Sequence, residues 1–509
     1  MKKWILVLTS VASLALISYY GPHLSIKNLR KKKMKSVRIA FPYAKQMVDF
    51  DPQRIQTASE ANLARSMYAR LFNLDDDGQL EGDLAESFHW DGHSYIIKLR
   101  DNIKTNKGNP ITLRDVKLSL LRLLIKEEAT HGSLKSMICA DENVSLKTGC
   151  RGLTVTDDSV ILTPLHKVAK EFLIKTLASP DFSILKESSV NWSDPSLPII
   201  NHFETTGAYY LVEGLSPDEI VLKINKFSHY FSEDLFEQFE VTRTFSKESA
   251  RLFEEDKIDF IPTFGIITPS SFSNFETLKA NVHFSQPIQL RYLIFTQKGR
   301  KKLNEALRLK IGEELRQAYK KTLLEKNQTM TDQFFPVFAF GHLEKAQMEA
   351  LDRLRRKSFE SHLEIPTVTM EVWRPLLEPF KKAFHHLKWL QIEEFKGFPW
   401  DRSAEDLPDL MYGGTDAGFY EDLSLIHYFF KIEVFGNYKD GLSWIDQYVQ
   451  ITSSDKRKAA LDKIHLEALN KAYAIPLTHQ SYLAVSKPFI KMEISELFAG
   501  TPLWKIKKR

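Results

Sequence analysis

From Thr367 the chain spells out a strand, a helix and a second strand in quick succession, and that order confines this part to an α/β fold. Alternating apolar residues run from Thr367 to Trp373, helical spacing follows from Leu376 to Leu387, and a strand pattern returns from Trp389 to Phe395. A further apolar strand, Leu407 to Tyr412, runs into Gly413-Gly414, which reads as its end. Earlier in the chain a short strand, Val37 to Phe41, precedes a polar loop carrying Asp51-Pro52. A helix then starts near Ser59, with Leu63, Met67 and Leu71 on one stripe. Asp77-Gly78 and Asp91-Gly92 are hairpin signals, and Tyr95 to Arg100 alternates as a half-buried strand. Thr112 and Asp115 form a capping-box-like start for a helix whose apolar face includes Val116, Leu120 and Leu124. A long helix from Ser454 to Tyr473 leads into one last alternating segment, Ile475 to Val485.

At 509 residues the chain is long enough for two or three domains. Its one long apolar run, Trp4 to Tyr20, follows Lys2 and Lys3, as in a signal peptide, so a protein of many spans is excluded. Residues 1–35 hold eight basic side chains and no acidic one, which leaves the remainder slightly acidic despite a net charge of +5. A nucleic-acid binder carries its positive charge on the folded body, so nucleic acid is not an expected partner. Two readings of residues 1–20 stand side by side. One is a cleaved signal peptide followed by a basic spacer, residues 21–35. The other is an uncleaved anchor to the inner membrane through residues 4–20, with a basic collar on anionic headgroups.

The only cysteines, Cys139 and Cys150, enclose a short polar stretch. A disulfide suits an oxidising compartment, two free thiols suit a cytoplasmic one, and the leader tips the reading to the disulfide. No phosphate-cradling glycine loop, GxSxG, HExxH or Cys/His quartet is present. Asp75-Asp76-Asp77-Gly78 lacks the calcium-loop register, and His89 and His93 flank a turn. The expectation is no catalytic residue, no metal site and no cofactor.

One stretch is more specific. It reads Leu84-Ala-Glu-Ser87-Phe-His-Trp-Asp-Gly92, then Tyr95, Leu99-Arg100-Asp101, Lys104, Gly108, Pro110, Thr112, Asp115-Val116 and Ser119. It resembles the signature of the family 5 extracellular solute-binding proteins, the oligopeptide- and dipeptide-binding proteins of ABC importers. Asp51-Pro52, Met67-Tyr68-Ala-Arg-Leu71, Thr206-Gly207-Ala208-Tyr209, Lys257-Ile258-Asp259 and Ile475-Pro476-Leu477 are similar to other family landmarks. The resemblance implies a two-lobed α/β periplasmic binding protein fold, type II, of the large peptide-binding subclass with an extra third domain. Lobe I would comprise 36–72, 192–280 and 477–509, the extra domain 73–191, and lobe II 281–476. The implied protein is a periplasmic monomer that closes on a peptide, hands it to ABC permease subunits and makes or breaks no bond. A membrane-tethered sensor, or a binder of a nickel chelate, haem or sugar, is the alternative on the same fold.

The resemblance also implies a site. Asp416 matches the aspartate that pairs with a ligand α-amino group, with Thr415 beside it; a loop-capping role is the alternative. Gln56, Thr57 and Ala58 match the segment that lends backbone bonds to a peptide. Thr206 and Gly207 would line the hinge side of the cleft, and Tyr412, Phe419 and Tyr420 would wall side-chain pockets. The chain departs from the family where a tryptophan becomes Gly413 and where Ala417-Gly-Phe419-Tyr420 replaces Tyr-x-x-Pro, and Leu410 stands where some members of the family place a carboxylate-binding arginine.

Overall fold

The structure is a computed structural model. It describes residues 35–41, 50–55, 57–75, 78–126, 132–139, 143–215, 219–244, 246–262, 267–358, 363–397, 399, 402–416, 423–494 and 501–509. Residues 1–34, with the expected leader and nearly all of the basic stretch, lie outside these residues. Among the described residues no helix is long and apolar enough to cross a membrane.

Two large mixed sheets dominate. The first has seven strands in the order Asn281–Phe284, Leu483–Ser486, Phe260–Ile261, Ser36–Phe41, Gln238–Arg243, Ile220–Ile224, Tyr209–Leu211. The second has six, in the order Gln328–Met330, Ala474–Gln480, Gln289–Phe295, Leu410–Asp416, Val368–Val372, Leu390–Glu394. Each has apolar residues on both faces because helices cover both. On the first sheet, Ile39, Phe239 and Leu222 meet Leu63 and Met67 of the Ala58–Met67 helix, while Ile261 and Val485 meet Phe253. On the second, Leu293, Met370 and Tyr412 meet Leu315 and Tyr319 of the Glu305–Thr322 helix, while Tyr292 and Ile294 share a core with Phe429. A four-stranded sheet, Ala85–Trp90, Tyr95–Leu99, Ser159–Leu162 and Leu153–Val155, forms a smaller unit with the Leu113–Lys126 helix.

Local expectations hold where the signal is local. Asp91-Gly92 joins two antiparallel strands, with Gly92 at φ 104° and the Asp91 carboxylate accepting from the His93 and Ser94 amides. Thr112 and Asp115 form a reciprocal cap: the Thr112 amide donates to the Asp115 carboxylate at 2.8 Å, and the Asp115 amide donates to Thr112 Oγ1 at 3.3 Å. Val368–Val372 and Leu390–Glu394 pair in parallel around the Leu377–Phe384 helix, the strand–helix–strand order read from the sequence. Cys139 and Cys150 are joined by a disulfide, with Cα atoms 5.2 Å apart.

Two expectations are corrected. The strand expected to stop at Tyr412 runs on through Gly413 and Gly414 to Asp416. The glycines sit inside it because bulky neighbours cross it. A Cβ on Gly413 would stand 2.6 Å from the Tyr292 ring, and one on Gly414 2.5 Å from Arg291 Nη1. The single segment expected from Ile475 to Val485 is two strands in different sheets, Ala474–Gln480 in the second and Leu483–Ser486 in the first. Likewise Asn281–Phe284, expected at the start of lobe II, pairs with Leu483–Ser486 in the first sheet.

Several family landmarks have structural work. Asp51 is held by Arg122, whose side chain is fully buried, through Nη1–Oδ1 at 3.0 Å and Nη2–Oδ2 at 2.5 Å, with Lys126 Nζ at 3.0 Å. Burial alone would raise the Asp51 pKa, but the hydrogen bonds and charges of Arg122 and Lys126 outweigh it and hold it at about 2. Asp259 takes the Arg38 guanidinium in a two-point pair at 2.8 and 2.7 Å, fastening the Phe260–Ile261 strand to Ser36–Phe41.

Candidate functional site

Among the described residues, in strand order, the chain passes between the two large sheets twice, at residues 285–288 and at Ser481-Tyr482. The crossings lie side by side. The Ser285 amide donates to the Tyr482 carbonyl at 3.0 Å, and the Tyr482 amide donates back to Ser285 Oγ at 2.8 Å. Asn327 braces the second crossing, donating through Nδ2 to the Ser481 carbonyl at 2.8 Å while its own carbonyl accepts from the Ser481 amide at 2.9 Å. Ile288 and Tyr482, both buried, form a small apolar node between the lobes, and Ala58 and Phe338 pack on it.

This node brings part of the expected site together. Asp416, the last residue of its strand, stands opposite Gln289, one residue beyond the first crossing, and Gln289 also stands opposite Gln480. Gln289 Nε2 donates to Tyr482 Oη at 2.9 Å, so the strand end carrying Asp416 is tied to the second crossing. Asp416 and Thr415 are half-buried. Ala58 approaches the same node from the first lobe, where Thr57 caps its helix. The Thr57 amide donates to Glu60 Oε2, its Oγ1 accepts from the Glu60 amide, and its carbonyl accepts from the Ala61 amide. The cap engages Thr57's hydroxyl and both its backbone groups.

Three expected residues turn inward instead. Thr206 is 3% exposed, and its hydroxyl accepts from the Ala69 amide at 2.9 Å and donates to the Ile184 carbonyl at 2.8 Å. The Gly207 amide donates to the Met67 carbonyl at 2.8 Å, and its own carbonyl accepts from Asn225 Nδ2 at 2.9 Å. Both clasp the end of the Ala58–Met67 helix rather than facing a cleft. Tyr412 is 5% exposed and meets Phe380 edge-on at 4.8 Å, within the core under the second sheet. Gln56, Phe419 and Tyr420 lie outside the described residues. Sequence reasoning missed Gln289, Gln480, Ser285, Tyr482 and Asn327. Their position follows from strand pairing between distant segments, which leaves no local signal. Among the described residues no cluster of His, Cys, Asp and Glu is arranged to hold a metal ion.

The family model for bacterial extracellular solute-binding proteins, family 5 middle, matches residues 79–350. The periplasmic oligopeptide-binding protein OppA of Salmonella typhimurium is 25% identical over 197 residues, 35% of this chain and 34% of its own length. The match therefore spans about a third of that curated relative.

Solved structures match over nearly the whole chain. Haemophilus influenzae OppA in complex with RPPGFSPFR gives a TM-score of 0.73 at 15% identity, covering 93% of this chain and 99% of that one. The Escherichia coli murein tripeptide binding protein MppA gives 0.72 at 14% identity, covering 93% and 98%. Staphylococcus aureus NikA in complex with Ni(L-His)2 gives 0.71 at 15% identity, covering 93% and 100%. The unliganded open form of MppA gives 0.57 at 13% identity, covering 93% and 97%. With two lobes joined by paired crossings, the type II architecture of these neighbours and a family match over more than half its length, the chain belongs to the bacterial extracellular solute-binding proteins, family 5.

Proposed function

We propose that this protein captures peptides between its two lobes outside the cytoplasm and delivers them to the permease subunits of an ABC importer, with no covalent chemistry. The observation that carries this reading is the position of Asp416. It ends a strand of the second sheet, paired with Gln289, which follows directly on a crossing between the lobes. A carboxylate there meets a ligand's ammonium at the point about which the lobes close. The peptide-bound OppA and the murein tripeptide binder MppA among its structural neighbours support the same ligand class.

The test is binding of alanine peptides to the purified protein, followed by melting temperature and calorimetry. Peptides with a free amino terminus raise the melting temperature, and their N-acetylated counterparts bind at least tenfold more weakly. Asp416→Asn removes that discrimination. Equal binding of free and acetylated peptides by the wild type counts against the reading. A second reading, a metal chelate as guest, is favoured by the NikA likeness at nearly the same TM-score. A melting shift with Ni(II)-histidine and none with peptides would replace the first reading by the second.

A further inference from the structure

Arg291 stands on the Gln289–Phe295 strand, opposite Gly414 on one side and Thr478 on the other. Paired residues of antiparallel strands share a face, so Arg291 is on the same face as Gln289, Asp416 and Gln480. The residue is half-buried, and among the described residues its side chain makes one hydrogen bond, Nε to Gln480 Oε1 at 3.3 Å. Gln480 Oε1 also accepts from Gln328 Nε2 at 3.0 Å, and Gln328 Oε1 accepts from Tyr319 Oη at 3.4 Å. These neutral side chains form a relay that fixes the inner edge of the guanidinium, and among the described residues Nη1 and Nη2 have no hydrogen-bond partner. Among the described residues no carboxylate pairs with Arg291, whereas Arg122, Arg300 and Arg402 each have one and the buried Arg308 is held by the Leu303, Lys471 and Ala472 carbonyls.

Gly414 gives this arrangement its room. A Cβ there would stand 2.5 Å from Nη1, 3.1 Å from Cδ and 3.2 Å from Cζ, so the guanidinium lies flat against backbone where any other residue would displace it. Taking a guanidinium out of water without a counter-charge is costly, and its planar fork of donors matches a carboxylate in two-point fashion. The Arg291 and Asp416 positions are also offset by two residues along paired strands, which is about 7 Å. That is the span between ammonium and carboxylate across a short extended peptide.

We infer that Arg291 is an anion subsite of this protein, taking a carboxylate of the guest. The guest is therefore zwitterionic or acidic, with its negative group about two residues from the ammonium. This rests on the Asp416 reading only for the spacing of the two charges. The anion site itself stands on Arg291 and Gly414.

The experiment compares wild type with Arg291→Gln and Arg291→Lys, in two arms read by melting temperature and calorimetry. The first uses trialanine and its C-terminal amide. The second uses succinate at millimolar concentration. Wild type is expected to prefer the free acid by about tenfold or more and to be stabilised by succinate. Arg291→Gln loses both responses while keeping its affinity for the amide, and Arg291→Lys keeps part of each. Removal of an unpaired charge leaves the unliganded melting temperature of Arg291→Gln unchanged or higher, whereas a merely structural Arg291 would lower it. Equal binding of acid and amide by the wild type overturns the inference and leaves the peptide reading in place. Succinate stabilisation that depends on Arg291, without any peptide binding, upholds the anion site and overturns the peptide reading. No Arg291-dependent response in either arm overturns the inference outright.

Discussion

His465 and His479 hold the backbone of Phe334 from opposite sides. The Phe334 amide donates to His465 Nε2 at 3.1 Å, and the Phe334 carbonyl accepts from His479 Nε2 at 3.2 Å. His465 Nδ1 donates in turn to the Gly341 carbonyl at 3.0 Å, which fixes its neutral tautomer. Burial pushes the pKa of His465 down to about 3 and that of His479 to about 4, against hydrogen bonds to carbonyls that act the other way. A proton on His465 Nε2 would face the Phe334 amide proton.

The pH dependence follows from these directions. A histidine whose pKa is lower folded than unfolded stabilises the fold fully above its unfolded value near 6.5, and loses that contribution as pH falls towards its folded value. Stability should therefore decline between pH 6.5 and 4, each histidine contributing a slope of up to about 1.4 kcal/mol per pH unit. Urea unfolding at pH 7, 5.5 and 4.5 measures it, and His465→Gln should flatten the curve. An unfolding midpoint that stays level from pH 7 to 4.5 would refute the assignment.

Asp51 acts in a lower window. Its pKa near 2, below the usual carboxylate value, means that its contribution is complete above about pH 4 and is lost as pH falls through 2. Asp51→Asn leaves Arg122 buried without its counter-charge and should cost about 3 kcal/mol in equilibrium unfolding. The double variant Asp51→Asn, Arg122→Met should recover part of that loss. A double variant no more stable than the single one would mean that the pair is not what the buried arginine requires.

Gly207 is predicted to tolerate no side chain. A Cβ would stand 2.5 Å from the Met67 carbonyl carbon and 2.6 Å from the Tyr68 nitrogen, and that peptide unit cannot give way as a flexible side chain would. Gly207→Ala should lower stability by about 1–3 kcal/mol, read by thermal unfolding. Gly214, with open space around its Cβ position, is the control at which the clash is absent, although its φ of 80° still disfavours alanine.

The disulfide ties the end of the Gly132–Ile138 helix to the start of the Leu153–Val155 strand through two buried cysteines. For a loop of this length the Cys139→Ser, Cys150→Ser double variant should lose about 3 kcal/mol. Unfolding with and without reductant would then coincide for the variant and differ for the wild type.

What was legible in the sequence divides along physical lines. Turns and caps are decided within four residues, so Asp91-Gly92 and the Thr112–Asp115 box read correctly from local chemistry. Gly413-Gly414 misled because two glycines resemble a break, whereas their purpose is set by Tyr292 and Arg291 on the neighbouring strand. The segment from Ala474 to Ser486 misled for a related reason. Its alternation is continuous, and only pairing with strands nearly two hundred residues earlier shows that it changes sheets at Ser481-Tyr482. Asp416 enters the proposed site by resemblance alone. Gln289 and Tyr482, which fasten its strand end to the crossings, carry no signature of their own.

The place of Leu483–Ser486 has a consequence for biogenesis. It is an interior strand, wedged between Asn281–Phe284 and Phe260–Ile261, so without it the outermost strand has nothing to join. A nascent polypeptide halted anywhere before Leu483 cannot finish the first lobe, however complete the second. Assembly of that lobe must wait for this strand to leave the ribosome, and a synthetic peptide spanning it should complement a truncated fragment in trans.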